Sequence, residues 1–244
     1  MIFIIRLISL QLVIIGLMLT ILIPCYNEES IIENTAHVLL EWTLKQKFQT
    51  EIIFINNNSN DKTAEILTKL ETKKGISFTT ECIQGKGAAI KKGVQESNFE
   101  KILILDADLS ANITESNKID FFEDEVLVLG SRVLGSEENT PIFRIIVGTF
   151  FNFVIRQVFK FDYLDTQCGF KYISSERVKH IFENITSQGF LYDIDLILQS
   201  KNLNLKIKEL PVDYKFHTDS SVSVIYNLYG VIKDISKLRK KYTT

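Results

Sequence analysis

Five short apolar runs, Leu19 to Pro24, Glu51 to Ile55, Ile76 to Ile83, Lys101 to Leu105 and Val126 to Leu129, recur with helical patterns between them. A strand that is apolar on both sides must be covered on both sides, so this alternation predicts an α/β fold with a mostly parallel central sheet flanked by helices. The first intervening segment offers Ser30 and Glu33 as a capping box for a helix to Trp42, with Ile32, Ala36, Leu39 and Leu40 at helical spacing. The second run ends in INNNSNDKT, where Ser59, Asn60 or Asp61 can cap the next helix.

The fourth run ends in two carboxylates, LILDADLS, which places Asp106 and Asp108 at the carboxyl end of a buried strand. That is the edge at which open α/β sheets bind ligands. Alternation along an extended chain would send both to one side, where like charges need a cation, a proton or a cationic side chain between them. The segments PCYNEES and NNNSND end two other strands, and strand ends on one edge converge. Mg²⁺ or Mn²⁺ suits hard carboxylate and phosphate oxygens and keeps several waters, so two aspartates suffice for a bridge to a diphosphate.

The chain of 244 residues is long enough for one large α/β domain. Its 28 basic and 30 acidic residues leave a net charge of −2, which excludes a global field that would recruit nucleic acid. Three cysteines, Cys25, Cys82 and Cys168, and three dispersed histidines lack metal-ligand spacing, which argues for a reduced cytosolic chain and against a zinc enzyme. The apolar leader, residues 1–17, is interrupted by Arg6 and Gln11 and falls short of the ~20 residues a bilayer span needs, so an interfacial helix or a start at Met18 is expected. Farther on, NTPIFRIIVGTFFNFVIRQVFKF carries a Thr140 cap, Pro141 at the first helical position, and a polar stripe of Arg144, Gly148, Asn152, Arg156 and Lys160. A helix lying in a membrane interface is preferred over a core helix. An amphipathic helix from Val222 repeats the theme.

In order and spacing, ILIPCYNEE, QGKGAAIKKGV, ILILDADLS, GSR at 130–132, DTQCGFK at 165–171 and YDIDL at 192–196 resemble the family 2 glycosyltransferases. The nearest likeness is to the polyprenyl-phosphate sugar synthases, dolichyl-phosphate β-glucosyltransferases in particular. The resemblance covers Leu19 to about Tyr242 and implies the GT-A nucleotide-sugar fold. It divides residues 18–244 into a nucleotide-sugar half, 18–130, and an acceptor and membrane-facing half, 131–244.

It further implies that Pro24, Tyr26, Asn27, Glu28, Asn56 and Asn57 hold base and ribose, although the family usually has acidic residues where Asn56 and Asn57 stand. Lys86 would hold donor phosphate, and Asp106 and Asp108 the metal. Arg132, Arg144, Gln167 and Lys171 would bind the acceptor, with Asp165 orienting a cation or acting as base. Ser221 replaces a family lysine, for which Lys215 or His217 could compensate. The reaction implied is inverting transfer of a hexose, glucose foremost, from UDP-glucose to a polyprenyl or dolichyl phosphate at the cytoplasmic face of a membrane, the protein being peripheral. An anionic phosphate acceptor needs no deprotonation. The alternatives are transfer to a sugar hydroxyl of a polysaccharide or glycolipid, a haloacid-dehalogenase-type phosphatase, which DADLS also fits, and a non-catalytic membrane-surface scaffold.

Overall fold

The computed structural model describes residues 17–216 and 228–242. The chain runs β1 (Met18–Cys25), α1 (Ile32–Thr43), β2 (Gln49–Asn56), α2 (Thr63–Leu70), β3 (Ile76–Thr80), α3 (Lys86–Glu96) and β4 (Lys101–Ile104). A 3₁₀ turn (Ile113–Lys118) leads to β5 (Val126–Glu138), α4 (Ile142–Phe159), β6 (Lys171–Ser174), α5 (Val178–Glu183), α6 (Tyr192–Asn202), β7 (Lys206–Lys215) and α7 (Leu228–Tyr242). The leader, apart from Leu17, and His217 and Ser221 lie outside the described residues.

One seven-stranded sheet has the order β3-β2-β1-β4-β6-β5-β7. Strands β1 to β4 are parallel where they pair, and β6 runs antiparallel to both β4 and β5. The chain order reverses beside β1, so the crevice at the carboxyl ends of β1 and β4 is the topological switch point. Because β6 is antiparallel, its first residue, Lys171, pairs with Ile104 at the end of β4 and with Leu129 of β5. Residues flanking β6 therefore meet the DADLS turn at one edge.

Both faces of the sheet are buried. Ile21, Ile23, Phe54, Leu103 and Tyr172 pack with Leu39, Trp42 and Leu67 on one side. Leu22, Ile53, Ile104, Leu129 and Ile173 pack with Ile90, Val94 and Ile197 on the other. This two-sided burial is why the strands read as unbroken apolar runs.

The capping box at Ser30 and Glu33 does not form: α1 is capped at Ile31 with no side-chain cap bond, and the Glu28 carbonyl accepts the amides of Ile31 and Ile32 at 3.1 and 3.0 Å. Asp61 does take the amide of Thr63, at 2.9 Å. The long apolar helix α4 is not a core helix: Asn152 and Ile155 are its buried residues, while Ile142, Phe143, Ile146, Phe150 and Phe153 are exposed. Among the described residues it alone is long and apolar enough to cross a bilayer, by length and composition.

The carboxylate of Asp195 on α6 is fully buried and anchors α7. Its Oδ1 accepts from Lys241 Nζ at 3.0 Å and from the Tyr242 hydroxyl, and its Oδ2 from the amides of Thr186 and Ser187 at 2.7 and 3.0 Å. Removing one partner of such a network strands the others without solvent. Asp195→Ala should therefore lower unfolding stability by about 3 kcal/mol, seen as a lower urea midpoint at unchanged slope; an unchanged midpoint would show that α7 is not held this way.

Candidate active site

The DADLS segment leaves β4 as a turn, with the Leu109 amide bonded to the Asp106 carbonyl at 3.0 Å and Leu109 at φ 48°. Extended alternation is thus not what aims the two aspartates. The Asp106 carboxylate pairs with Lys86, the first residue of α3. The Asp108 Oδ1 accepts the Ser110 amide at 2.9 Å. Thr35 donates to the Ala107 carbonyl at 2.6 Å, and the Lys215 amide to that of Ser110 at 2.7 Å, so the turn is pinned from both sides.

Burial opposes ionisation of Asp106, but Lys86, Lys171 and Arg132 outweigh it and hold the carboxyl below its usual range. For Lys86 burial likewise opposes the charge, and Asp106 and Asp193 overcome it and raise the ammonium's pKa. Glu28 behaves in the opposite way. Burial first, then the carboxylates of Asp108, Asp106 and Asp61, push it up to about 7. The Glu28 carboxyl thus feels the charges of Asp108 and Asp106 in addition to its own burial.

The remaining sequence-predicted residues fall into two groups. Arg132 grips Asp165 with two bonds, Nε to Oδ2 at 2.7 Å and Nη2 to Oδ1 at 3.1 Å, and lies over the Tyr214 ring at 5.3 Å. Asp165, 1% exposed, also accepts the Arg132 and Gln167 amides at 3.2 Å each. Burial would raise its pKa, yet Arg132 and these amides hold it low. Lys171 is equally committed: its ammonium, 1% exposed, meets Asp193 at 2.8 Å and the Cys168 carbonyl at 2.5 Å. Expected as a cation facing the acceptor, it lies instead beneath the surface. Arg144 is exposed at the start of α4, 4.7 Å over the ring of Phe216, and the Gln167 side chain donates to the Phe190 carbonyl at 3.4 Å.

On the base side, Pro24, Tyr26 and Glu28 are half-buried around the end of β1. Asn27, at φ 56°, joins the loop after β2, its amide donating to Ser59 at 3.0 Å and its Oδ1 accepting from the Asn60 amide at 2.8 Å. Asn56 Oδ1 accepts from the Ser59 amide at 3.3 Å. The Asn57 side chain is spent on backbone: it donates to the carbonyls of Glu81 and Ile83 at 3.2 and 2.7 Å and accepts from the Gly85 amide at 2.8 Å. It shapes the turn into α3.

Sequence reasoning assigned no role to Gly169, Asp193 or Tyr214. A Cβ on Gly169 would stand 1.9 Å from Asp106 Oδ2, so any other residue would push that carboxylate aside. The signal for Asp193 was within reach in YDIDL, whose first aspartate opens a helix.

Among the described residues no group of three or more His, Cys, Asp or Glu side chains is arranged to hold a metal ion by itself. The donor chemistry nevertheless fits a hard divalent cation that draws its other ligands from phosphate, because Asp106 and Asp108 supply carboxylate oxygens on one turn.

The profile described as glycosyl transferase family 2 matches residues 20–182. The chain belongs to this family. It is a glycosyltransferase, and the expected GT-A fold is the one observed. Among its relatives, a dolichyl-phosphate beta-glucosyltransferase of Trichomonas vaginalis is 31% identical over 90% of this chain and 72% of its own length. One of the same name from Dictyostelium discoideum is 26% identical over 92% and 74%. Glucosyl-3-phosphoglycerate synthase from Mycobacterium tuberculosis, in complex with uridine diphosphate, has TM-score 0.65 at 13% identity, covering 95% of this chain and 83% of that one. The same enzyme with Mn²⁺, UDP-glucose and phosphoglyceric acid has TM-score 0.58 at 12% identity, covering 96% and 80%. At such identity these structures speak for the fold alone.

Two outcomes follow from the geometry. Gly169→Ala must displace the Asp106 carboxylate, and glycosyl transfer should fall by about a hundredfold at unchanged far-ultraviolet circular dichroism; wild-type turnover would remove the close approach from the account. Glu28 titrates near 4.5 when unfolded and at about 7 when folded, so between these values the folded chain holds the extra proton and loses stability as pH rises. Glu28→Gln should therefore raise Tm above pH about 8 and leave it little changed below about pH 4, where wild-type Glu28 is already neutral in both states. An equal gain at both would show that the carboxylate cluster does not repel.

Proposed function

We propose that this chain transfers glucose from a nucleotide-sugar donor, UDP-glucose foremost, to a polyprenyl phosphate of the dolichyl type, with inversion, while attached peripherally to the cytoplasmic face of a membrane. The relatives' names support the sugar and the lipid phosphate. Residues 18–130 serve the donor: Pro24, Tyr26, Asn27 and Glu28 line the nucleotide, Asn56 and Asn57 shape its loop, and Lys86 balances phosphate. Residues 131–244 serve the acceptor, with Arg132, Arg144 and Gln167 on that side. The exposed apolar face of α4 supports membrane attachment.

The observation that carries the choice of acceptor is the state of Asp165. A general base must be free to take a proton near the working pH. Asp165 is buried, gripped by Arg132 and held below the usual carboxylate range, so it is poorly suited to deprotonate a sugar hydroxyl. A phosphate monoester brings its own negative charge, its second pKa being about 6. One of its oxygens attacks the anomeric carbon from the face opposite the donor diphosphate. The new carbon–oxygen bond forms as the old one breaks, and the bond's electron pair leaves with the nucleoside diphosphate. A divalent cation, held by Asp106 and Asp108, would neutralise charge on the leaving diphosphate. Arg132, fixed in direction by Asp165, orients the incoming anion.

The test incubates the full chain with a panel of nucleotide sugars and dolichyl phosphate and identifies the lipid product by mass. Glucosyl lipid should form from UDP-glucose, vanish with chelator, and fall by a factor of ~10² in Asp108→Asn. Undiminished turnover in chelator would remove the cation. Faster transfer to a free sugar hydroxyl, with an acidic limb in the pH profile that Asp165→Asn abolishes, would reassign the acceptor.

A further inference from the structure

The buried pair of Lys171 and Asp193 has no partner in the chemistry described so far. Their side chains are 1% and 5% exposed, and their charged atoms are 2.8 Å apart. Burying such a pair costs desolvation that the mutual attraction seldom exceeds by much, so stability alone explains it poorly. Its position is more telling. Lys171 stands opposite Ile104 in the ladder, two residues before Asp106, and its charge acts on the Asp106 carboxylate. Asp106 already has Lys86 on Oδ1, and its Oδ2 lies over Gly169. Asp193, in the first turn of α6, acts in turn on Lys86. Three buried or half-buried cations, Lys86, Lys171 and Arg132, thus face three carboxylates, Asp106, Asp193 and Asp165, and the edge is balanced.

Take Asp193 away and Lys171 keeps only the Cys168 carbonyl. The carboxylate on which its charge already acts is Asp106, which would then be gripped from two sides by ammonium groups. We propose that Asp193 is a positioning residue for the donor site, holding the Lys171 ammonium off Asp106 so that this carboxylate stays available to the donor diphosphate and its cation. The proposal rests on the donor reading given above, but it concerns a contact between two side chains that touch no substrate themselves.

The experiment measures binding of uridine diphosphate with Mn²⁺ to the full chain by calorimetry, well below the melting temperature, in wild type, Asp193→Asn and the double variant Lys171→Met/Asp193→Asn. Asp193→Asn should weaken binding by about tenfold or more, because a lone buried ammonium is left to seek Asp106. The double variant, which removes that ammonium as well, should return to within about threefold of wild type. A role limited to holding α6 would lower Tm in Asp193→Asn and leave affinity unchanged, and that result overturns the proposal. Should Asp193→Asn not fold, the double variant decides alone: affinity near wild type supports the proposal, and weak binding overturns it. Failure of the wild-type chain to bind uridine diphosphate would overturn the donor reading, and the positioning role with it; wild-type binding with all variants unchanged would overturn the positioning role alone.

Discussion

The ion pair between Lys86 and Asp106 joins the start of α3 to the end of β4 across the switch point of the sheet. Everything at that edge is arranged around the cost of keeping these charges partly out of water. Gly85 and Gly87 let the turn before α3 press against the backbone at Ser187 and Gln188, which no side chain would allow. Asn57 fixes the same turn from below through Gly85. The loop at 186–188 is held by Asp195, and through it by the last turn of α7. Helix α7 is thereby linked, through Asp195 and the 186–188 loop, to the start of α3, where Lys86 pairs with Asp106.

The two halves of the site differ in how their charges are spent. Around the turn after β4, Asp106 is paired with Lys86, while burial and then the neighbouring carboxylates push Glu28 up. At β5 and β6 the cations are matched: Arg132 to Asp165 and Lys171 to Asp193. Charge-assisted pairs with two bonds, such as that of Arg132 and Asp165, fix direction as well as attraction.

What could be read from the sequence was what local pattern controls. The parallel strands β1, β2 and β4 were legible because burial on both faces leaves a continuous apolar run, and the edge of the sheet followed from where those runs stop. Strands β6 and β7 were not. Lys171 opens β6 as a buried charge, and KIKELPVDYK alternates in a way that a loop could share. Their place depends on partners far away in the chain. The same reason hid the state of the site residues. Lys171 reads as a surface cation until Asp193 is brought beside it, and Asn57 reads as a ligand contact until three backbone groups claim its amide. The helix α4 was legible as apolar, and its exposure settles that it is not core, but Asn152 of its polar stripe turns inward to Thr166 and away from any lipid headgroup.

The close passage of Gly169 beside Asp106 also bears on how this edge can evolve. Every amino-acid change reachable from a glycine codon by a single base adds a side chain, and here even a methyl group would enter the space of a carboxylate oxygen. The position therefore has no mild neighbour in sequence space. Tolerated change has to be carried elsewhere, as on the exposed face of α4, where substitutions meet solvent before they meet the charge lattice.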